Sequence, residues 1–297
     1  MKFPFQAPSS LATRETLLAW LFLAPALILL GIFVFYPILY LVWLSFTQGS
    51  FTRTGVHWNG LRNYSRLWLD PEFWQVLGNT LYFTVATVIP SLVIPLGLAA
   101  LLNRAIVLRA FLRTAYFIPS ITSLVAVGLG FRWLFQTDGP INQVLLGLGI
   151  SPVAWLSETV WAMPVMILFS VWKQIGFNLV LFLAGLQTIP LNRYEAAALD
   201  GANDWQQFWH ITLPGLRPTL LFATITTVIF TLRSFEQPYV ITGGGPLNST
   251  NLLVFYIYNQ AFAQFDFGYA ATGTVVLLVG TLGLVYLQLQ MARQESR

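Results

Sequence analysis

Polar and aromatic side chains that could contact a substrate interrupt two apolar stretches in the second half of the chain. They are Trp172, Lys173, Gln174, Asn178, Arg233, Glu236 and Tyr239. Charged groups within such stretches face protein or a wet cavity, because contact with lipid is costly. Aromatic rings add a flat apolar surface for the C–H groups of a solute. These residue types therefore favour the binding of a substrate.

A purely structural interpretation of the charged groups stays open. Lys173 and Glu236 could form an ion pair, or their long side chains could reach the lipid headgroups. Arg132 and Arg233 allow the same interpretation. In either case we expect Lys173 and Glu236 to lie in the outer half of a helix bundle, facing its interior.

The other reactive side chains exclude several kinds of catalytic site. A phosphate-binding loop needs the pattern G-x-x-x-x-G-K-[ST], but neither Lys2 nor Lys173 follows a glycine loop. His57 and His210 have no carboxylate at metal-ligand spacing. There is no cysteine, which excludes disulfides and thiol-based sites. We predict that the chain itself binds no metal and no cofactor and is not an enzyme.

The composition indicates an integral membrane protein. Hydrophobic residues make up 56% of the chain and charged residues 9%, whereas soluble domains average about 25% charged residues. So few charges cannot cover a soluble surface. The net charge of +4 is scattered along the chain, and a nucleic-acid-binding protein would concentrate it on one face.

Six apolar windows are long enough to cross a bilayer, which takes roughly 20 residues. Their approximate ranges are 17–46, 79–102, 114–135, 160–186, 219–241 and 269–291. We predict helices, because the alternating pattern of a membrane barrel is absent. The first window is too long for a signal-peptide core and is expected to be a retained span. No inverted repeat with broken helices is visible.

Arginine and lysine are distributed unequally between the two sides. One side carries Lys2, Arg14, Arg104, Arg109, Arg113, Arg193, Arg217, Arg293 and Arg297. The opposite side carries Arg53, Arg62 and Arg66 together with several carboxylates, and is a weak counter-signal. This bias predicts that both termini are cytosolic. Aromatic residues in outer segments 58–64 and 71–74 indicate either an interfacial belt or a surface that binds an external protein.

The longest polar interruption of the second half, Glu195–Pro218, is predicted to be a compact docking element. Pro190 is expected at the first position of a helix, and Gly201 permits the left-handed residue that ends one. A second short helix follows, with Trp205, Phe208 and Trp209 available to pack. The simpler alternative is a helical connection between two spans that binds nothing.

This segment resembles the signature of permeases of ABC importers. The matching residues are Glu195, Ala196, Ala197, Asp200, Gly201, Ala202, Phe208, Ile211, Leu213, Pro214 and Pro218. Residues 23–26, 36–37, 60–64, 79–81, 182–187 and 239–246 resemble further segments of the sugar-type permeases. The resemblance extends over nearly the whole chain. Asn192-Arg193 differs from it, because the family often has an acidic residue there.

The resemblance implies an all-α integral membrane protein with six transmembrane helices, the type I importer permease fold and a cytosolic coupling helix. It implies half of a path for a carbohydrate, polyol or glycoside across the bacterial inner membrane. The implied partners are a second homologous permease, expected as a heterodimer, two ATP-binding subunits that use ATP and Mg, and an extracytoplasmic solute-binding protein. The residues that would couple to the ATPase are Glu195, Ala196, Ala197, Asp200, Gly201 and Ala202.

The expected organisation is a cytosolic segment 1–16, a first helix with its outer loop 17–78, a core 79–292 and a cytosolic tail 293–297. The core contains the coupling loop 188–218. Alternatives from the same family are permeases for glycerol phosphate or another small solute. A secondary transporter and a membrane-embedded enzyme are the alternatives from other classes.

Overall fold

A computed structural model of the protein describes residues 9–48, 55–103 and 109–295. These ranges are mostly helical. Their sheet is a two-stranded antiparallel ribbon in which β1 (Thr47–Gln48) pairs with β2 (His57–Trp58). Four of the predicted orientation signals, Lys2, Arg53, Arg104 and Arg297, lie outside the described residues.

The helices of the first half are α1 (Ser9–Leu30), α2 (Tyr36–Leu44), α3 (Arg62–Leu69), α4 (Pro71–Leu102), α5 (Arg109–Ile121), α6 (Leu124–Leu134) and α7 (Pro140–Gly147). Those of the second half are α8 (Thr159–Gln187), α9 (Leu191–Leu199), α10 (Asp204–Gln207), α11 (Leu213–Gly215), α12 (Arg217–Leu232), α13 (Leu253–Tyr258) and α14 (Phe267–Glu295). Short π-helical segments occupy Gly31–Phe35, Phe208–Thr212, Pro238–Thr242 and Asn259–Ala263.

The number of membrane spans agrees with the prediction. Four continuous segments are long and apolar enough to cross a bilayer: Thr16–Leu44, Pro71–Leu102, Thr159–Gln187 and Phe267–Met291. Two bent helix pairs raise the number to six if each pair is one span. The pairs are Ala110–Ile121 with Leu124–Leu134, bent by 98°, and Asp204–Gly215 with Arg217–Leu232, bent by 67°.

The second span begins earlier than the predicted residue 79. Asp70 caps α4 by accepting a hydrogen bond from the backbone N–H of Glu72 at 2.9 Å. Pro71 follows as the first helical residue, where its missing donor costs nothing. Residues 71–74 therefore form the first turn of α4 and not part of an outer loop.

The third span was predicted as one helix over 114–135 and is instead broken at Thr122 and Ser123. Ser123 has extended backbone angles and caps α6 by accepting from the backbone N–H of Ala126 at 3.4 Å. The prediction of one continuous helix over 114–135 was therefore wrong. Serine favours this N-cap position because its side-chain oxygen replaces a missing backbone acceptor.

The fifth span was predicted to reach residue 241, but α12 ends at Leu232. Pro238 explains why no regular helix runs through this segment: a proline has no N–H, and its ring clashes with the preceding turn. Arg233 consequently caps the end of α12, Glu236 lies beyond that helix, and Tyr239 lies in the π-helical segment Pro238–Thr242.

Helix α8 is the centre of the bundle. Of its most apolar window, 61% is buried, compared with none of the first span. Asn178, in α8, is fully buried and donates to the carbonyl of Ser91 at 2.6 Å and to the hydroxyl of Thr227 at 3.2 Å. One amide thereby joins α8 to α4 and α12.

An acidic network joins α3, α4, α13 and α14 at one end of the bundle. Asp70 Oδ2 accepts hydrogen bonds from the hydroxyls of Tyr256 and Tyr269, each at 2.7 Å. The guanidinium of Arg66 lies 4.1 Å from the centre of the Tyr269 ring and pairs with Asp266 at 2.6 Å. Partial burial opposes ionisation of Asp70, but the two tyrosine hydroxyls and nearby backbone amides outweigh it and lower its pKa.

The lowered pKa of Asp70 predicts an acid-sensitive contribution to stability. A carboxylate whose folded pKa is below its unfolded value of about 3.9 stabilises the fold above that value, and the stabilisation disappears as pH falls through the folded pKa. We expect Asp70→Asn to lower the melting temperature more at pH 7 than at pH 3. The exposed Asp138→Asn is the control. An Asp70→Asn deficit of equal size at both pH values would contradict this assignment.

Candidate functional site

The loop between α8 and α12 presents a helix that the chain itself leaves uncovered. In α9 no residue is buried, and Leu191 and Leu199 are 70% and 90% exposed. Pro190 stands just before the helix as its cap, one position earlier than predicted. An exposed helix with apolar residues at both ends is a surface suited to a protein partner.

The end of α9 has the predicted left-handed glycine. Gly201 has φ +83°, donates to the carbonyl of Ala198 at 3.1 Å, and is followed by Ala202, which donates to Ala197 at 2.9 Å. This pair of bonds is a Schellman motif. Of the predicted coupling residues, Glu195, Ala196, Asp200 and Gly201 are exposed, and Ala197 and Ala202 are half-buried.

A capping box that the sequence prediction missed starts the next segment. The side chain of Asn203 accepts from the backbone N–H of Gln206, and the side chain of Gln206 accepts from that of Asn203, both at 2.9 Å. The available signal was an N-cap residue followed three positions later by glutamine. The box connects Gly201 to α10 without a flexible linker.

Trp205, Phe208 and Trp209 pack on one another as the prediction of a short second helix required. Their ring centres are 5.7–6.2 Å apart, and Trp205 is 68% exposed. The segment that carries them, Asp204–Gly215, meets α12 at 67°. It therefore runs across the direction of the span.

Buried contacts attach the loop firmly to the bundle. The hydroxyls of Tyr194 and Thr212 are 2.9 Å apart, which joins α9 to the returning segment. Gly215 lies so close to Ile189 that an added Cβ would be 2.8 Å from its Cδ1. Leu216 is fully buried beside them. The cluster below the loop consists of Ala99, Leu102, Leu179, Phe182, Leu183, Leu186, Ile189, Leu216 and Ala223.

This cluster unites the ends of three helices, α4, α8 and α12, beneath α9. Close-packed interiors transmit displacement because they are nearly incompressible. A force applied to α9 would therefore move these helix ends together.

A groove follows the end of α12. Its volume is about 430 Å³, and its lining comprises Thr226, Ile229, Phe230, Arg233, Ser234, Glu236 and Gln237. Arg233 and Glu236 are both exposed, and neither forms an ion pair within the described residues. The Oε1 of Gln237 is buried and has no hydrogen-bond partner among the described residues. The groove thus offers an exposed cation and an exposed anion to a polar molecule.

The other predicted path residues lie elsewhere. Trp172 packs on Phe131 with ring centres 5.3 Å apart, and Tyr239 stacks on Phe235 at 5.2 Å. Lys173, Gln174 and Asn178 are buried within the bundle.

Lys173 lies at the middle of α8. Its ammonium group donates to backbone carbonyls, and the described residues show no ion pair between it and Glu236. The open alternative of such a pair is therefore not realised in this structure.

Residues 82–295 match the family of binding-protein-dependent transport system inner membrane components. The chain belongs to this family. It is a multi-pass permease of the inner membrane, in which transport is driven by a separate ATPase subunit. Among the described residues, no three His, Asp or Glu side chains come together as a metal site.

Relatives of the permease match it over nearly its full length. The lactose transport system permease protein of Rhizobium radiobacter is 40% identical over 97% of this chain and 98% of its own. The sulfoquinovosyl glycerol transport system permease protein of Agrobacterium fabrum is 38% identical over 95% and 92%. These matches confirm the resemblance to sugar-type permeases.

The fold is that of a solved importer. A bacterial ABC transporter involved in the import of the acidic polysaccharide alginate superimposes with a TM-score of 0.85, at 24% identity, over 96% of this chain and 98% of the other. The same transporter in complex with an alginate pentasaccharide-bound periplasmic protein gives a TM-score of 0.83 at 24% identity over 96% of both chains. The predicted type I permease fold is thereby confirmed.

Two leucine substitutions should distinguish the buried cluster that supports the loop from the loop's exposed surface. Leu216→Ala creates a cavity in the cluster, which typically costs about 2–5 kcal/mol, and should lower the melting temperature of the detergent-solubilised permease. Leu199→Ala removes an exposed side chain and should change it little. Instead, we expect Leu199→Ala to reduce the amount of ATPase that co-purifies. Equal melting temperatures for both variants would refute the assigned role of the cluster.

Proposed function

We propose that this permease forms half of the translocation path of an ATP-driven carbohydrate importer and receives the ATPase movement through α9. The observation that supports this most directly is an uncovered helix joined to three span ends by a buried cluster. Movement of α9 switches the permease pair between outward-open and inward-open states, as a two-state rearrangement of packed elements. Glu195, Ala196, Ala197, Asp200, Gly201 and Ala202 form the ATPase-facing surface.

Carbohydrate is the substrate class that the relatives support. The relatives are named for the transport of lactose, sulfoquinovosyl glycerol and arabinooligosaccharides. We infer a glycoside or oligosaccharide for this chain. Calorimetry of the cognate binding protein with mono- and oligosaccharides, polyols and glycerol phosphate tests this inference. Binding of glycerol phosphate alone would exclude it.

The assembly that we propose contains a second homologous permease as a heterodimer, two ATP-binding subunits and an extracytoplasmic binding protein. The entirely uncovered first span supports a membrane partner or lipid at that face. The alginate transporter crystallised with its periplasmic protein supports the last component. Native mass spectrometry of the extracted complex would establish the stoichiometry. A permease extracted without an ATPase would favour a secondary transporter.

The arginine distribution supports cytosolic termini. We expect a C-terminal fusion to alkaline phosphatase, which is active only outside the cytosol, to be inactive. A fusion at Gly149, in the outer segment after α7, should be active. The reverse pattern would invert the orientation proposed for every span.

The left-handed glycine provides a test of coupling. Gly201→Asp introduces backbone strain of about 1 kcal/mol or more and redirects the chain after α9, so we expect an inserted permease with little transport-coupled ATPase activity. Gly149→Asp is the matched control, because Gly149 is also left-handed (φ +76°), with open space around its Cα. Normal uptake by the Gly201 variant, or equal loss in both variants, would contradict the proposal.

We propose that the groove is the part of the predicted path that contacts substrate. Arg233 and Glu236 would bind hydroxyl groups, while the other predicted path residues, Trp172, Lys173, Gln174, Asn178 and Tyr239, are not part of the groove lining. Hydrogen bonds to charged groups contribute about 1.5–3 kcal/mol, so Arg233→Gln and Glu236→Gln should each raise the half-saturation concentration for uptake roughly tenfold. The exposed Arg62→Gln serves as the control. Unchanged half-saturation in both variants would remove the groove from the path.

A further inference from the structure

Lys173 is a buried cation whose partners all lie at the break in the third span. Its side chain is 6% exposed. Nζ donates to the carbonyl of Pro119 at 2.5 Å and to that of Thr122 at 2.7 Å, and lies 3.5 Å from the Thr122 hydroxyl. Among the described residues, the ion pair found is Arg66–Asp266, so no carboxylate accompanies Lys173.

The break creates a need for such a donor. The last four carbonyls of a helix have no partner within the helix, and hydrocarbon cannot supply one as water does. The Ile118 carbonyl accepts from the N–H of Thr122 at 3.3 Å. Among the described residues, the donors to the Pro119 carbonyl are two side chains, namely Lys173 and the Thr122 hydroxyl at 2.8 Å. A cation also suits the negative end of a helix dipole.

Two further contacts fix α5 against α8 beside this group. The hydroxyl of Ser120 donates to the backbone carbonyl of Lys173 at 3.0 Å. An added Cβ at Gly176 would lie 2.6 Å from that same Ser120 oxygen and 2.8 Å from the Cα of Phe117. The backbones of the two helices are therefore in direct contact near Gly176, and this contact fixes the position from which the Lys173 side chain extends to the break.

The direction of the break decides where α6 lies. Helix α6 leaves α5 at 98° and packs on the π-helical segment Pro238–Thr242. An added Cβ at Gly128 would lie 3.2 Å from Cγ1 of Val240 and 3.6 Å from its Cβ. This segment directly follows Arg233 and Glu236. The position of α6 is thus connected to the surroundings of the groove.

We propose that Lys173 is a positioning residue whose ammonium group caps the carboxyl end of α5, holds the third span in its broken form and so seats α6 against Pro238–Thr242. The cap is independent of the substrate groove proposed above. Only its expected effect on uptake rests on that groove. The competing assignment, direct contact of Lys173 with substrate, is an outcome of the test.

A disulfide can report the seating of α6. The chain has no cysteine, so an introduced pair has no other thiol of this chain to react with. The 3.6 Å separation of Cβ positions at 128 and 240 lies within the range of disulfides, about 3.5–4.5 Å. The Gly128→Cys/Val240→Cys pair is oxidised in membranes that contain the whole transporter. Gln48→Cys/His57→Cys, whose positions are opposite in the ribbon, is the control pair.

Three substitutions at Lys173 are compared. Lys173→Met keeps the length and removes every donor, Lys173→Gln keeps neutral donors, and Lys173→Arg keeps charged donors. We expect Lys173→Met to slow formation of the 128–240 disulfide about tenfold, as the loss of a charge-assisted hydrogen bond implies, without slowing the control pair. Lys173→Arg should restore at least half of the rate, and Lys173→Gln should give an intermediate rate.

If Lys173→Met forms the 128–240 disulfide at an unchanged rate, the proposal is overturned. If the half-saturation concentration for uptake also rises, the result is decisive, because that combination assigns Lys173 to substrate contact. Slower formation of the 128–240 disulfide together with lower maximal uptake supports the proposal. A slower rate with normal uptake supports the cap and counts against the proposed groove instead. If Lys173→Met is not recovered from membranes, the comparison of Lys173→Gln with Lys173→Arg decides, and equal rates in those two overturn the proposed need for charge.

Discussion

The structure depends on one constraint: backbone polar groups must find partners within the protein wherever a helix ends away from water. Three interruptions of the helical bundle are satisfied by specific groups. Asp70 caps α4, Ser123 caps α6 and Lys173 bonds the carbonyls at the end of α5. The apolar composition alone would allow many bundles, but these few polar groups select where the helices stop and turn.

The central position of α8 follows from the same constraint and explains how movement can pass through the molecule. Asn178 joins it to α4 and α12 in the middle, while Leu186 near one end belongs to the cluster beneath α9. A displacement of α9 therefore reaches a helix that also holds the break of the third span through Lys173. Helix α8 therefore contacts both the proposed coupling loop and the break in the third span.

The irregular segments are as well ordered by hydrogen bonds as the helices. The amide of Asn142 donates to the carbonyls of Thr137 and Val153 and accepts from the backbone of Val153 and the indole of Trp155. The glycine-rich segment after α12 is held to α4, since Asn79 donates to the carbonyl of Asn248 at 2.7 Å. Such segments can present a defined surface to a binding protein.

The sequence by itself determined the membrane class, the number of spans, the family and the exposed loop with its left-handed Gly201. These properties depend on local composition, on the special freedom of glycine and on a long contiguous motif. Tertiary structure decided where the third span is broken, where the fifth span ends, which residues line the groove and what Lys173 contacts. Those features depend on partners that are distant in the sequence: Lys173 and Thr122 meet only because Gly176 lets α5 approach α8, and hydropathy carries no record of that approach.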